Sequence, residues 1–233
     1  MPRSRTLLIA FLVVTAANLL ANATGGGLAF LLTKPLLMPL LAAYLWRAST
    51  ERAARPDRLV LAGLAFATGG DIALMVDGTY WFLAGMACFL GTHLCYLAAF
   101  TRHGAATALR RPPLVAVPLG YAVLTVVALT WMWAGLTDAG LAVPVAGYAL
   151  ALAAMASTAT TQGWRIGIGA ALFLGSDLLI AAGVAEVAQP PGAPVLVMAT
   201  YAAGQALIVT GWVARAGAPT GAPVTPAAAP AAP

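Results

Sequence analysis

Charge is scarce in this sequence. Only 8% of its 233 residues are Asp, Glu, Lys or Arg, while 61% are hydrophobic and the mean hydropathy is +0.90; a soluble globular domain carries about 25% charged residues. The shortage excludes a water-soluble domain and marks an integral membrane protein. Cysteine is nearly absent: Cys88 and Cys95 stand alone, seven positions apart on one expected helix and so about 10 Å apart along its axis, too far to bridge. With two histidines and no closely spaced Cys, His, Asp or Glu cluster, no metal site and no cofactor are expected. Lysine occurs once, at Lys34. The net charge of +5 and pI of about 9.7 are therefore read as membrane orientation signals, and nucleic acid is not an expected partner.

What the chain has instead is long apolar stretches of near-bilayer length. The pattern predicts an all-α, polytopic bundle of eight transmembrane helices, at about 6–22, 28–46, 58–76, 79–101, 113–133, 139–160, 166–185 and 194–214, each near the ~20 residues that a hydrocarbon core requires. Breaks fall where Gly, Pro and charge collect, as at Gly25-Gly26-Gly27, Asp77-Gly78, Arg110-Arg111-Pro112-Pro113 and Gln189-Pro190-Pro191-Gly192. One transmembrane domain, 1–214, is expected. The Ala/Pro-rich residues 215–233 lack the apolar and aromatic anchors of a packed segment and read as a disordered cytoplasmic tail.

Eight helices with short connectors put both ends of the chain on one side. Arg3 and Arg5, the run Arg47 to Arg58, Arg102, Arg110 and Arg111, Arg165, and Arg215 all fall on that side, whereas Asp77, Asp138 and Glu186 fall on the other. The positive-inside rule then sets both termini in the cytoplasm. The Ala-, Gly- and Arg-rich composition suits a GC-rich bacterial genome, hence a bacterial plasma membrane. Residues 1–23 also imitate a cleavable signal peptide, with a basic start, an apolar stretch and Ala21-Asn22-Ala23. Cleavage would leave seven spans.

Few polar side chains interrupt the apolar stretches, and an ionisable group in a bilayer is costly enough to be a functional candidate by default. Depth estimated from helix position puts Lys34, Asp71 and Asp177 at a height where they can share one cavity in the outer half, with Asn18, Tyr201 and Gln205 at comparable depth. His93 and Tyr96 share a helix face nearer the middle or inner half. Ser176 can solvate Asp177, but no basic residue is expected near it. Each also has a structural reading: an ion pair between Asp71 and Lys34, a hydrogen-bonded core histidine, or helix-to-helix bonds from Tyr201 and Gln205.

Thr33-Lys34-Pro35-Leu36-Leu37, Gly69-Gly70-Asp71 with Ile72-Ala73-Leu74-Met75, Gly91-Thr92-His93-Leu94-Cys95-Tyr96, Gly169-Ala170-Ala171-Leu172-Phe173 leading to Ser176-Asp177, and Thr200-Tyr201 with Gln205 together resemble the YhhN-like lysoplasmalogenase family, from about residue 30 to 212. The resemblance implies an eight-helix enzyme that hydrolyses the vinyl ether bond of lysoplasmalogens to a fatty aldehyde and a glycerophospho-alcohol. A lysophospholipid substrate and membrane lipids are then the expected partners, while the oligomeric state is left open. Carried over by motif, Asp71 and Asp177 are the expected catalytic pair. Lys34, His93, Tyr96, Ser176, Tyr201, Gln205 and Asn18 are expected to support them or bind substrate.

The chemistry suits two carboxylates. Protonating the outer alkene carbon of a vinyl ether creates an oxocarbenium ion that water captures, so the site needs an acid and a nearby negative charge. Asp177, buried with no expected counter-charge, is assigned as the acid; Asp71, nearer Lys34, is assigned as the ionised partner. Two rival readings exist. An intramembrane aspartyl protease also uses two membrane aspartates, but the sequence has no Tyr-Asp on a preceding helix. A small-molecule or proton-coupled transporter also carries intramembrane Asp, Lys and His, but the two halves of this chain show no repeated motif.

Overall fold

The computed structural model describes residues 2–216, whose regular elements are all helices, with no strand among them. The helices are α1 (Arg3–Ala23), α2 (Gly27–Thr33), α3 (Leu37–Glu51), α4 (Arg58–Ala73), α5 (Thr79–Arg102), α6 (Ala105–Ala108), α7 (Ala116–Asp138), α8 (Ala142–Ala159), α9 (Trp164–Val184) and α10 (Ala193–Ala216). A tight 3-10 turn, Lys34–Leu36, joins α2 to α3, because Pro35 has no N–H to continue the helical ladder. The two pieces together form one broken span, Gly27–Glu51. A second such turn, Thr160–Gln162, extends α8.

Among the described residues, seven helices are long and apolar enough to cross a membrane: Arg3–Ala23, Gly27–Glu51, Thr79–Arg102, Ala116–Asp138, Ala142–Gln162, Trp164–Val184 and Ala193–Ala216. The expected eighth, at 58–76, closes early. Its helix α4 has 16 residues and ends at Ala73, with Leu74 to Val76 in turns before Gly78. At 1.5 Å per residue it spans about 24 Å, short of a ~30 Å hydrocarbon core. The last span runs to Ala216, two residues beyond its expected end at 214. Of the expected disordered tail, residues 217–233 lie outside the described residues.

The outer surface is that of a protein in lipid. Val143 is 77% exposed, and Leu28, Leu119, Val126 and Leu150 are similarly bare. Trp46, Tyr80, Trp81, Trp131, Trp133 and Trp164 are exposed near helix ends, as interfacial aromatics are. The chain is an integral multi-pass membrane protein.

Cross-chain bonds identify the two ends of the bundle. Ser4 bonds Glu51 through both its backbone N–H and its hydroxyl, Arg215 donates to the His103 carbonyl at 3.4 Å, and Gln162 donates to the Phe100 carbonyl at 3.5 Å. These contacts collect the arginine-bearing turns at one end. At the opposite end Asn22 donates to the Pro194 carbonyl at 2.9 Å, and Asp138 and Glu186 line one hollow. Inside, α9 and α10 approach almost backbone to backbone. A Cβ on Gly169 would lie 2.7 Å from the Gly204 carbonyl oxygen, and one on Gly204 equally close to that of Gly169. Any side chain at either position would drive the two helices apart, and both carry residues of the site.

Candidate functional site: two polar groups in an apolar bundle

The two aspartates picked out by sequence fall in two separate polar groups. The first gathers around α1, the α2–α3 break, α4 and α10. Asp71, 2% exposed, accepts a hydrogen bond from the Tyr201 hydroxyl at 2.8 Å. Lys34 is buried, with its ammonium 5.5 Å from the Phe30 ring centroid. No carboxylate lies within ion-pair distance of it among the described residues. Lys34 and Asp71 are therefore not a contact ion pair. Asn18 is fully buried, donates to Thr33 Oγ1 at 2.9 Å, and leaves its Oδ1 without a partner.

The second group joins α5, α8 and α9. The Tyr148 hydroxyl donates to Asp177 Oδ2 at 2.5 Å, and His93 Nε2 lies 2.8 Å from that hydroxyl and 3.3 Å from the same carboxylate oxygen. Among the described residues this is the one ion-pair contact. His93 is completely buried, its ring packed edge-on against Tyr148 and Phe173, and its Nδ1 has no partner. An orphaned buried N–H is rarer than an orphaned acceptor, so the tautomer with hydrogen on Nε2 suits this site, and that N–H faces Tyr148 and Asp177. Asp177 is thus not isolated: the basic side chain that depth estimates put elsewhere meets it directly.

The two aspartates do not share a hydrogen bond. The contact path between them runs from Asp71 to Tyr201, through the Phe173 ring at 5.4 Å from the Tyr201 ring, to His93 at 4.9 Å, and then to Asp177. Tyr96 and Gln205 form their own buried bond at 2.7 Å, between α5 and α10. Ser176 turns away from Asp177 and donates to the Val197 carbonyl at 3.1 Å, fastening α9 to α10.

Tyr148 is the member of the group that sequence reading passed over. Between Ala142 and Ala156 it is the sole side chain with a hydrogen-bonding group, and that isolation is the signal that could have found it. Its surroundings explain its importance. A groove of about 490 Å³ of atom-free space between α7, α8 and α9 is lined by Leu124, Ala128, Met132 and Leu174 together with Tyr148 and Asp177. A second, of about 430 Å³, runs along α5 past Leu74, Phe82, Met86 and Phe89 and is closed by the same Tyr148 and Asp177. Asp177 thus stands where two apolar grooves meet, and neither groove is lined by Asp71 or Lys34. At the acidic end a wider hollow of about 690 Å³, lined by Asp77 and Thr79, shares Leu74 and Phe82 with the second groove. No group of three or more metal-ligating side chains occurs among the described residues.

Two lysoplasmalogenases, from Mycobacterium bovis and Mycobacterium tuberculosis, are each 31% identical to the chain over 131 residues, covering 54% of this chain and 49% of theirs. The chain thus spans about half the length of the curated relatives it matches. No solved structure matches it significantly. The model of the YhhN family, in contrast, matches residues 29–212. That stretch begins in α2, ends in α10 and takes in both polar groups except Asn18, and on it the chain belongs to the YhhN family.

Proposed function

We propose that the chain is an intramembrane hydrolase that cleaves the vinyl ether bond of a lysoplasmalogen, or a related lysolipid, to a fatty aldehyde and a glycerophospho-alcohol. The observation that carries this reading is a carboxylate, held by a tyrosine and a histidine, at the meeting of two apolar grooves: a proton-handling group where an alkenyl chain can lie. Membership of the YhhN family and the name carried by the two mycobacterial relatives support it.

In this reading Asp177 is the acid. Both of its hydrogen bonds fall on Oδ2, which leaves Oδ1 to carry the proton toward substrate. The proton passes to the outer alkene carbon, and the double-bond electrons form the new C–H bond. The positive charge left on the inner carbon and ether oxygen lies beside the Asp177 carboxylate, which Tyr148 and His93 stabilise by donating to Oδ2. Water then adds to the inner carbon and returns a proton to Asp177. The resulting hemiacetal collapses to aldehyde and alcohol. Asp71, away from both grooves, acts at longer range, balancing the Lys34 charge and holding Tyr201.

The same reading takes α4 as an eighth span, giving one transmembrane domain over 1–214 with both termini in the cytoplasm of a bacterial plasma membrane. The arginine-rich end of the bundle supports that orientation. The test is turnover. Purified chain in detergent should release fatty aldehyde from choline or ethanolamine lysoplasmalogen and none from the saturated ether analogue. A well-folded protein that releases no aldehyde would overturn the hydrolase reading, as a transporter or protease would behave.

A further inference from the structure

The three hollows near Asp177 are contiguous, and they differ in polarity from end to end. The second groove shares Leu74 and Phe82 with the hollow of about 690 Å³ at the acidic end, and it shares Val145, Tyr148, Asp177 and Ala181 with the first groove. Among the described residues Asp77 is the one charged residue lining that hollow, with Thr79 beside it. The first groove runs instead into hydrocarbon. Apart from Tyr148 and Asp177, its single polar side chain is Thr125, whose hydroxyl is spent on the Tyr121 carbonyl at 2.8 Å.

Helix positions set the lengths of the two arms. Leu141, at the start of α8, and Val184, at the end of α9, line the acidic hollow. They precede Tyr148 and follow Asp177 by seven residues each, or about 10 Å along the helix. Nine bonds separate the ether oxygen of a choline or ethanolamine lysophospholipid from its head-group nitrogen, as many as in three residues of extended chain, so its full reach is also about 10 Å. On the other side of Asp177, Leu152 and Leu174 line the first groove. They lie 11 and 10 residues from Leu141 and Val184, roughly 15 Å from the acidic end and so near the middle of a ~30 Å hydrocarbon core. The arms together have the length and the polarity of one lipid standing in one leaflet.

We infer that a lysolipid is taken from the leaflet on the acidic side and held in a single direction. Its chain lies in the first groove and its glycerol in the second. Its phosphate sits where the second groove opens at Leu74 and Phe82, and its head-group cation reaches Asp77. That the ether bond then falls at Asp177 rests on the hydrolase reading. The reverse placement would set a phosphodiester among Leu124, Leu152 and Leu174, where no donor or charge replaces its water. Asp77 is on this account a specificity residue: its carboxylate attracts an ammonium head group and repels one with net negative charge.

The experiment uses the full-length protein in detergent and a saturated ether lysophosphatidylcholine, which is not hydrolysed, carrying a photoreactive diazirine at its chain end. After illumination the labelled residues are mapped by mass spectrometry. Label should fall around Leu124, Leu152 and Leu174, and unlabelled lysolipid should suppress it. Label at Phe82 and Met86, which line the second groove alone of the two, would reverse the direction. Label scattered over exposed helix faces and unaffected by competitor would refute the site. Ala128→Phe, which fills the first groove, should weaken competition by a long-chain lysolipid about tenfold, the value of roughly two buried methylenes, and should affect a short-chain one less. Equal weakening of both would also refute the placement of the chain. Asp77→Asn should narrow the preference for a phosphocholine over a phosphoglycerol competitor by up to about fivefold, the range of an exposed ion pair; an unchanged preference would overturn the head-group assignment. None of these readouts needs turnover. A wild type that labels as expected but releases no aldehyde from lysoplasmalogen would sink the hydrolase reading alone, and aldehyde release with reversed or scattered label would sink the direction alone.

Discussion

The two buried aspartates make the same demand on the bundle and are met differently. Asp71 receives one tyrosine hydroxyl, is shut off from both grooves, and has the Lys34 charge nearby without contact. Asp177 receives a tyrosine hydroxyl and a histidine, and stands at an opening. A carboxylate inside a membrane protein is expensive wherever it sits, so burial alone does not distinguish a working group from a structural one. Access does. The Asp177 carboxylate lines both grooves, and the Asp71 carboxylate lines neither.

The sharpest way to break this contrast is to neutralise each aspartate in turn. Asp177→Asn keeps shape and hydrogen bonding but has no proton to give to carbon. Aldehyde release should fall by at least the ~10² attributable to general acid catalysis, with thermal unfolding in detergent little changed. Asp71→Asn should show the reverse emphasis, costing about 1–3 kcal/mol of stability as the Tyr201 contact weakens and Lys34 loses its balancing charge, with the smaller loss of rate. If Asp71→Asn proves folded and as inactive as Asp177→Asn, the two carboxylates act as equals and the contrast collapses.

Tyr148→Phe comes next. It removes one hydroxyl from the Asp177 cluster, and a hydrogen bond to a charged group is worth about 1.5–3 kcal/mol, so turnover should drop roughly tenfold to a hundredfold. The corresponding change at Tyr201 should lower stability more than rate. Ala181 lines both grooves, and Ala181→Phe should raise KM for a long-chain substrate while kcat changes less, as judged from steady-state aldehyde release. Smallest of all, Tyr96→Phe should lower the unfolding midpoint slightly and leave turnover intact, because interhelical hydrogen bonds in membranes average about 0.6 kcal/mol. A large loss of activity in Tyr96→Phe would move the α5–α10 bond into the chemistry.

How much of this was legible in the chain follows from what a hydropathy pattern encodes. Seven spans, the gathering of arginines at one end and the acids at the other come directly from length and charge. Depth is also estimated from sequence, since it scales with position along a helix. Facing is not readable. Two residues at one height can point to opposite sides of a bundle, which is why Asp71 and Asp177 fall in different groups. Conversely His93, estimated to lie lower, reaches Asp177 because α5 packs against α8 beside α9. Tyr148 was hidden for another reason: its ring counts as apolar, and the one hydroxyl in a run of Ala, Leu and Val changes the hydropathy of α8 very little. The early end of α4 could not be seen either, because Leu74, Met75 and Val76 are apolar enough to continue a span.

That early end has a consequence for supply. Hydrolysis consumes one water for each bond cleaved, and the middle of a bilayer holds almost none. A helix about 24 Å long facing lipid ~30 Å deep pulls the interface down toward its short end, and α4 ends beside the hollow that carries Asp77 and adjoins the second groove at Leu74 and Phe82. On the proposed hydrolase reading, that shortfall would bring bulk water to the rim of the second groove, and the second reactant would arrive from the side opposite the arginines.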